Sequence, residues 1–101
     1  VISENRFETI QDYVQARANE LNRLTFEDVV SLPEMSEEQI LFNGHRAIVM
    51  TSHQSKPDGS HWVIFEAYEQ EGQWSDSWLA ASGVAFTPQA HRKLTDRELV
   101  R

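Results

Sequence analysis

Three of the four histidines, His45, His53 and His61, recur every eight residues in the stretch "HRAIVMTSHQSKPDGSH". Imidazole is a common metal ligand and carries protons near neutral pH, so the spacing first suggests a metal site. Strand geometry breaks the trio, because eight residues of extended chain span ~27 Å and take His45 out of reach of any ion held by His53. His53 and His61 stay together, since Lys56-Pro57-Asp58-Gly59 has the chemistry of a tight turn and folds the chain back between them. They become diagonal neighbours ~7 to 8 Å apart across a hairpin, with Asp58 the nearest oxygen ligand. Zinc takes three or four protein ligands, so His53 and His61 are metal candidates one or two ligands short, and no metal or cofactor is expected. The expected arrangement is two solvent-side imidazoles capping the end of an apolar sheet face. His91, beside Arg92 and Lys93, reads as a solvated loop residue.

Glu66 is the one catalytic candidate. It stands mid-strand between Ile64 and Tyr68, and a carboxyl held beneath a covering layer could act as a general acid or base. No second catalytic group converges on it in the strand register, so the expectation is that Glu66 pairs with Arg46 or another base and that the chain is not an enzyme. Ser52 and His53 are adjacent in a strand and point to opposite faces, which rules out a direct nucleophile-base pair. The sequence has no Gly-rich phosphate loop, nucleophile elbow, HExxH or EF-hand pattern. It also has no cysteine, hence no thiolate chemistry and no disulfide framework.

The elements that must position these groups follow from periodicity. Phe7, Ile10, Val14, Ala18 and Leu21 recur at three and four, which predicts an amphipathic helix over residues 3–24, with Ser3 as N-cap and Ile2 and Phe7 as a hydrophobic staple. Thr25 with Asp28 repeats the capping arrangement and predicts a short helix over 26–32, stopping before Pro33. "PEMSEEQ" reads as a connector in which Ser36 and Gln39 allow one helical turn. The period then changes to two, predicting strands at about 38–42, 45–55, 60–70 and 78–87. Asn43-Gly44 fits a two-residue type I′ turn, Pro57-Asp58-Gly59 a three-residue loop, and Glu71-Gly72 a third turn. Over the tail, 88–101, Thr95 and Glu98 form a capping box for a last helical turn. The expected fold class is α+β in a single domain, 1–101, with both helices packed on one face of a four-stranded antiparallel meander.

Turn type sets register, and register sorts the faces. Phe42 opposite His45 and Ser55 opposite His61 put Ile40, Phe42, Ala47, Val49, Thr51, Val63, Phe65 and Ala67 on the helix side. The other face carries Ile48, Met50, Trp62, Ile64 and Tyr68, with Glu66 opposite Met50. A sheet covered on one side is normally polar on the other, so this second face needs a cover. The cover is either intramolecular, from a curled sheet or from the short helix and C-terminal segment, or it is a protein partner or homodimer anchored by Trp62 and Tyr68. In the fourth strand, Trp78, Val84 and Phe86 share one side and Leu79, Ala81 and Ala85 the other, with Gly83 a candidate bulge.

Charge narrows the partners. Residues 1–87 hold five Lys and Arg against fourteen Asp and Glu, within a chain of net charge −7. An acidic body repels phosphate backbones, and no basic residues interleave with Trp74 and Trp78, so nucleic acid is not an expected partner. No apolar run reaches the roughly 18 residues of a membrane span, no leader pattern is evident, and a cytoplasmic location is the expectation. Three readings of function follow. The first is a non-catalytic protein-interaction or self-associating module. The second is a small-molecule binder or minor enzyme with a pocket between helix and sheet, using Glu66, His53 and His61. The third is an acidic inhibitor or antitoxin-like partner of a basic protein.

Overall fold

Thr9 opens the main helix: its hydroxyl accepts from the Asp12 amide at 3.1 Å, and helix α1 runs from Ile10 to Glu20 before tightening into a 3-10 turn at Leu21–Arg23. The computed structural model describes residues 2–4, 9–42, 45–70 and 76–99. The expected helix start at Ser3 is corrected, because Ile2–Glu4 forms a short strand, β1. Thr9 with Asp12 is a second cap-and-acid pair downstream of Ser3, and it starts the helix; the segment before it pairs with a sheet edge whose backbone groups need partners. Phe7, half of the expected staple, lies outside the described residues. Helix α2, Phe26–Val30, has the reciprocal capping box, with the Asp28 amide donating to Thr25 Oγ1 at 3.1 Å and the Thr25 amide donating to Asp28 Oδ2 at 3.0 Å.

Strands β2 (Met35–Phe42), β3 (His45–Ser55), β4 (His61–Gln70), β5 (Asp76–Phe86) and β6 (His91–Lys93) continue the sheet in chain order, and α3 follows at Asp96–Leu99. The sheet has six strands where four are expected from the sequence: β2 to β6 are antiparallel, and β1 joins β2 in parallel. β2 begins at Met35, so Ser36 and Gln39 lie in a strand and form no helical turn. The length of β3 explains this: its far end offers Ser52 to Met35, and the His53 amide donates to the Glu34 carbonyl at 2.9 Å.

The register agrees with the turn argument. Phe42 faces His45, Ser55 faces His61 and Met50 faces Glu66. The Asn43-Gly44, Glu71-Gly72 and Trp74 readings lie outside the described residues. Lys56 and Ser60 close the described turn, with Gly59 in the left-handed region at φ 88°. In β5 the irregularity falls not at Gly83, which pairs regularly with Ile64, but opposite the Ala67/Tyr68 step, where Tyr68 pairs with Trp78 and Ala67 with Ala80. Leu79 is the extra residue.

The main core lies between α1, α2 and one sheet face. Tyr13, Val14, Ala18, Leu21 and Val29 pack there on Ile40, Ala47, Val49, Val63, Phe65, Ala67, Ala80, Val84 and Phe86. A buried side chain of this class contributes about 1.5–3 kcal/mol relative to exposure, so this layer holds α1 on the sheet. A second, smaller cluster forms on the opposite face, where Leu94 and Leu99 from the C-terminal segment pack on Ile64, Ala85 and Trp62.

Candidate functional site

The second sheet face is built in cross-strand rows. Glu37, Met50, Glu66 and Ala81 lie in one row; Met35, Ser52, Ile64 and Gly83 lie in the next. Ile48 and Tyr68 are paired in the row beyond, and Gln54, Trp62 and Ala85 form the row nearest the β3–β4 turn. The five apolar residues expected to share a face, Ile48, Met50, Trp62, Ile64 and Tyr68, do share it, together with Glu66.

Part of this face has an internal cover. The Leu94 amide donates to the Gly83 carbonyl at 2.9 Å, which turns the chain across the sheet so that Leu94 and Leu99 lie over Ile64 and Ala85. The short helix does not contribute, since its Val29 belongs to the core on the α1 side. The α3 turn is fixed by its capping box and by Arg92, whose two terminal nitrogens donate to Glu98 Oε1 and Oε2 at 2.8 Å each. Those bonds, with the Thr95 amide behind them, hold the Glu98 carboxyl down at about 2.

Between this strap and strands β2 and β3 the face stays open as a trough of about 360 Å³. Its apolar walls are Met50, Trp62, Ile64 and Leu99, and Met35 at the rim is 56% exposed. At its base Glu66 is only 8% exposed and accepts a hydrogen bond from the Tyr68 hydroxyl at 2.9 Å. The Ser52 hydroxyl is buried in the same wall and makes no hydrogen bond among the described residues. Lys56 closes one end, its ammonium 4.2 Å from the centre of the Trp62 ring while donating to Gln54 Oε1 at 2.8 Å. The trough lies on the face away from α1; among the described residues, core side chains pack between α1 and the other face.

His53 and His61 come together on the α1 side of the sheet. The Leu32 carbonyl can only accept, so His53 Nδ1 carries the proton in their 3.0 Å contact. With both rings neutral, His53 Nε2 then accepts from the His61 Nδ1–H at 2.8 Å. The pair is not the solvent-side cap expected from sequence: both rings are half-buried, and Phe26 of α2 meets His61 edge-on at 5.4 Å. Asp58 points its acceptors elsewhere, taking the Ser60 amide and hydroxyl at 2.9 and 2.6 Å, which also lowers its carboxyl below the ordinary range. Among the described residues, no three His, Cys, Asp or Glu side chains converge as a metal set. His91 lies in β6, exposed, with its ring 5.8 Å from that of Phe86.

One polar group was not anticipated. Arg17 bonds both the Tyr13 hydroxyl, at 3.0 Å, and Glu38 Oε1, and its guanidinium lies 5.2 Å from the Phe65 ring centre. Tyr13 and Arg17 are four apart on one helix face, which was a readable signal; their acidic partner on β2 was not. No helix is long and apolar enough to cross a membrane among the described residues. No family model, curated protein or solved structure matches the chain.

Proposed function

We propose that this chain is a non-catalytic protein-interaction module that engages a basic protein partner through the uncovered part of its second sheet face. The observation that carries the reading is the incomplete cover. Leu94 and Leu99 bury Ile64 and Ala85, while Ile48, Met50 and Trp62 stay half-exposed and Met35 more so. An apolar patch with an aromatic anchor and a polar rim has the composition of a contact surface. The sign of the partner follows from charge, because the chain is at −7 overall and Glu37 and Glu66 lie in one row of this face.

The test is affinity capture with matched variants. Trp62→Ala and Met50→Asp should each lose the captured partner at least tenfold, and a control substitution on the α1 side, Asn19→Ala, should keep it. Light scattering over a concentration series accompanies the capture. If every captured protein survives both face substitutions, or if the chain forms a dimer that Met50→Asp dissolves, the basic-partner reading fails.

A further inference from the structure

The two edges of the sheet are finished differently. Where β5 runs past β6, its edge is met by other parts of the chain: the Gln11 side-chain amide donates to the Ala81 carbonyl at 3.2 Å, and the Leu94 amide donates to the Gly83 carbonyl. At the other edge β1 covers only Ile40–Phe42 of β2. Upstream of Ile40, residues 35–39 have β3 on one side and, among the described residues, no strand on the other. Four of these five residues are exposed, so the edge is open to an approaching chain. Backbone groups alternate in direction along an antiparallel strand. The His53 amide bonds the Glu34 carbonyl, so Glu34, Ser36 and Glu38 turn their amides and carbonyls toward β3, and those of Met35, Glu37 and Gln39 turn outward. An unpaired row of this kind is a template for another strand, and β1 shows that this edge accepts one.

Charge selects the occupant. No Lys or Arg occurs from Leu24 to His45, while Glu34, Glu37 and Glu38 lie at or beside the open stretch. Glu38 is taken up by Arg17, but Glu37 is exposed, lies opposite Met50 in the ladder and makes no ion pair among the described residues. A second copy is disfavoured, because the antiparallel register that pairs residues 35–39 with themselves sets Glu37 opposite Glu37, and like charges directly opposite destabilise a ladder. From this set we infer that residues 35–39 are a strand-addition site for an extended segment of the basic protein partner, which pairs antiparallel to β2 and sets a Lys or Arg opposite Glu37. Met35 and Glu37 share the face of Met50 and Ile64, so the added strand continues that face outward and places an apolar side chain beside Met35. The inference deepens the reading given above and rests on its basic partner, but it assigns a separate contact, made by backbone at the edge.

The probe is the peptide acetyl-Thr-Thr-Lys-Thr-Val-amide, titrated into the ¹⁵N-labelled full chain. It should shift the Met35, Glu37 and Gln39 amides, slow their hydrogen exchange, and bind about fivefold more tightly than the same peptide with Glu in place of Lys. N-methylation of the peptide's Lys amide, which faces β2, should abolish binding, whereas N-methylation of the following Thr amide, which faces outward, should spare it. The Glu37 amide is turned away from β3, so Glu37→Pro keeps the fold and should lose the peptide, while Glu37→Gln should keep the peptide and lose the preference for Lys over Glu. The methylated isomers act on the parent chain, so a folding defect in Glu37→Pro does not decide the matter. Equal binding of the two isomers, or of the Lys and Glu peptides, overturns the inference. A dimer that Glu37→Pro dissolves overturns the partner as occupant and assigns the edge to a second copy. If the peptide fails while Trp62→Ala still abolishes capture, strand addition is wrong and the contact face stands; if the peptide binds as expected while Trp62→Ala spares capture, the face reading fails and the edge stands.

Discussion

Gly83 and Leu94 fit one another as a missing side chain and the side chain that needs its space. A Cβ at Gly83 would stand 2.8 Å from Leu94 Cδ1 and 2.7 Å from the Val63 carbonyl oxygen. One of those neighbours is backbone in a central strand, so it cannot yield, and Leu94 is 2% exposed with little room to move. Gly83→Ala should therefore destabilise the chain by about 1–3 kcal/mol, the usual cost of overpacking. Urea unfolding measures it. The strap over the second face should loosen too, so the Trp62 indole resonance should move toward its solvent-exposed position; an Ala variant as stable as the parent would mean that Leu94 does not pack there.

The pairing of Arg92 with Glu98 makes the same strap sensitive to acid. Glu98 is held at about 2, below its ordinary 4.5, first by Arg92 and then by the Thr95 amide. A carboxyl depressed on folding contributes its stability above the unfolded value and loses it as pH falls through the folded one. The contribution is complete above about pH 4.5 and fades between there and about pH 2. Methyl resonances of Leu99 should report α3 loosening across that window, and Glu98→Gln should flatten the response. The pair is at the surface, so raised salt should weaken the effect as well.

Register was the legible part of this fold, because a three-residue loop at Pro57-Asp58-Gly59 leaves only one pairing that keeps Val49, Val63 and Phe65 on one side. The second face was legible for the same reason. The sequence pattern did not reveal the elements whose conformation is set by distant partners. Ile2 to Glu4 carries no strand signal of its own and becomes β1 through the open edge of β2. The C-terminal segment is one of the covers the sequence allows and its Thr95–Glu98 capping box forms, but Leu94 and Leu99 are isolated apolar residues in a charged tail and show no period that picks them out. Their cue was Gly83, readable as a vacancy on the second face and read instead as a bulge. The Ser52 vacancy in hydrogen bonding needed the packed structure, since any exposed serine finds water.

The histidine pair is a clamp on the connector after α2. His53→Ala removes the donor to the Leu32 carbonyl and the acceptor for His61 together, and should cost about 1–3 kcal/mol at neutral pH. His61→Phe keeps the ring against Phe26 and the Leu32 bond, and should cost less. The single lone pair of His53 is already used by His61, so added Zn²⁺ should leave the melting temperature of the parent unchanged. A rise on zinc addition that both substitutions abolish would make the pair a ligand set after all.

Ser82 offers the opposite case to Ser52. Both hydroxyls are buried without a hydrogen bond, but Ser82 lies on the α1 side, opposite Phe65, 1% exposed inside the main core. Packed under α1, its hydroxyl carries the cost of lost hydration. Ser→Ala deletes that hydroxyl and removes its cost, leaving a void of only one atom. Ser82→Ala should be neutral to stabilising by about 1 kcal/mol in thermal or urea unfolding, with capture of the basic partner unchanged. Ser52→Ala should gain similar stability but weaken capture of the basic partner, which separates a hydroxyl stranded by packing from one that lies at the contact face. Equal effects of the two substitutions on capture would place Ser52 with Ser82, as a feature of the core alone.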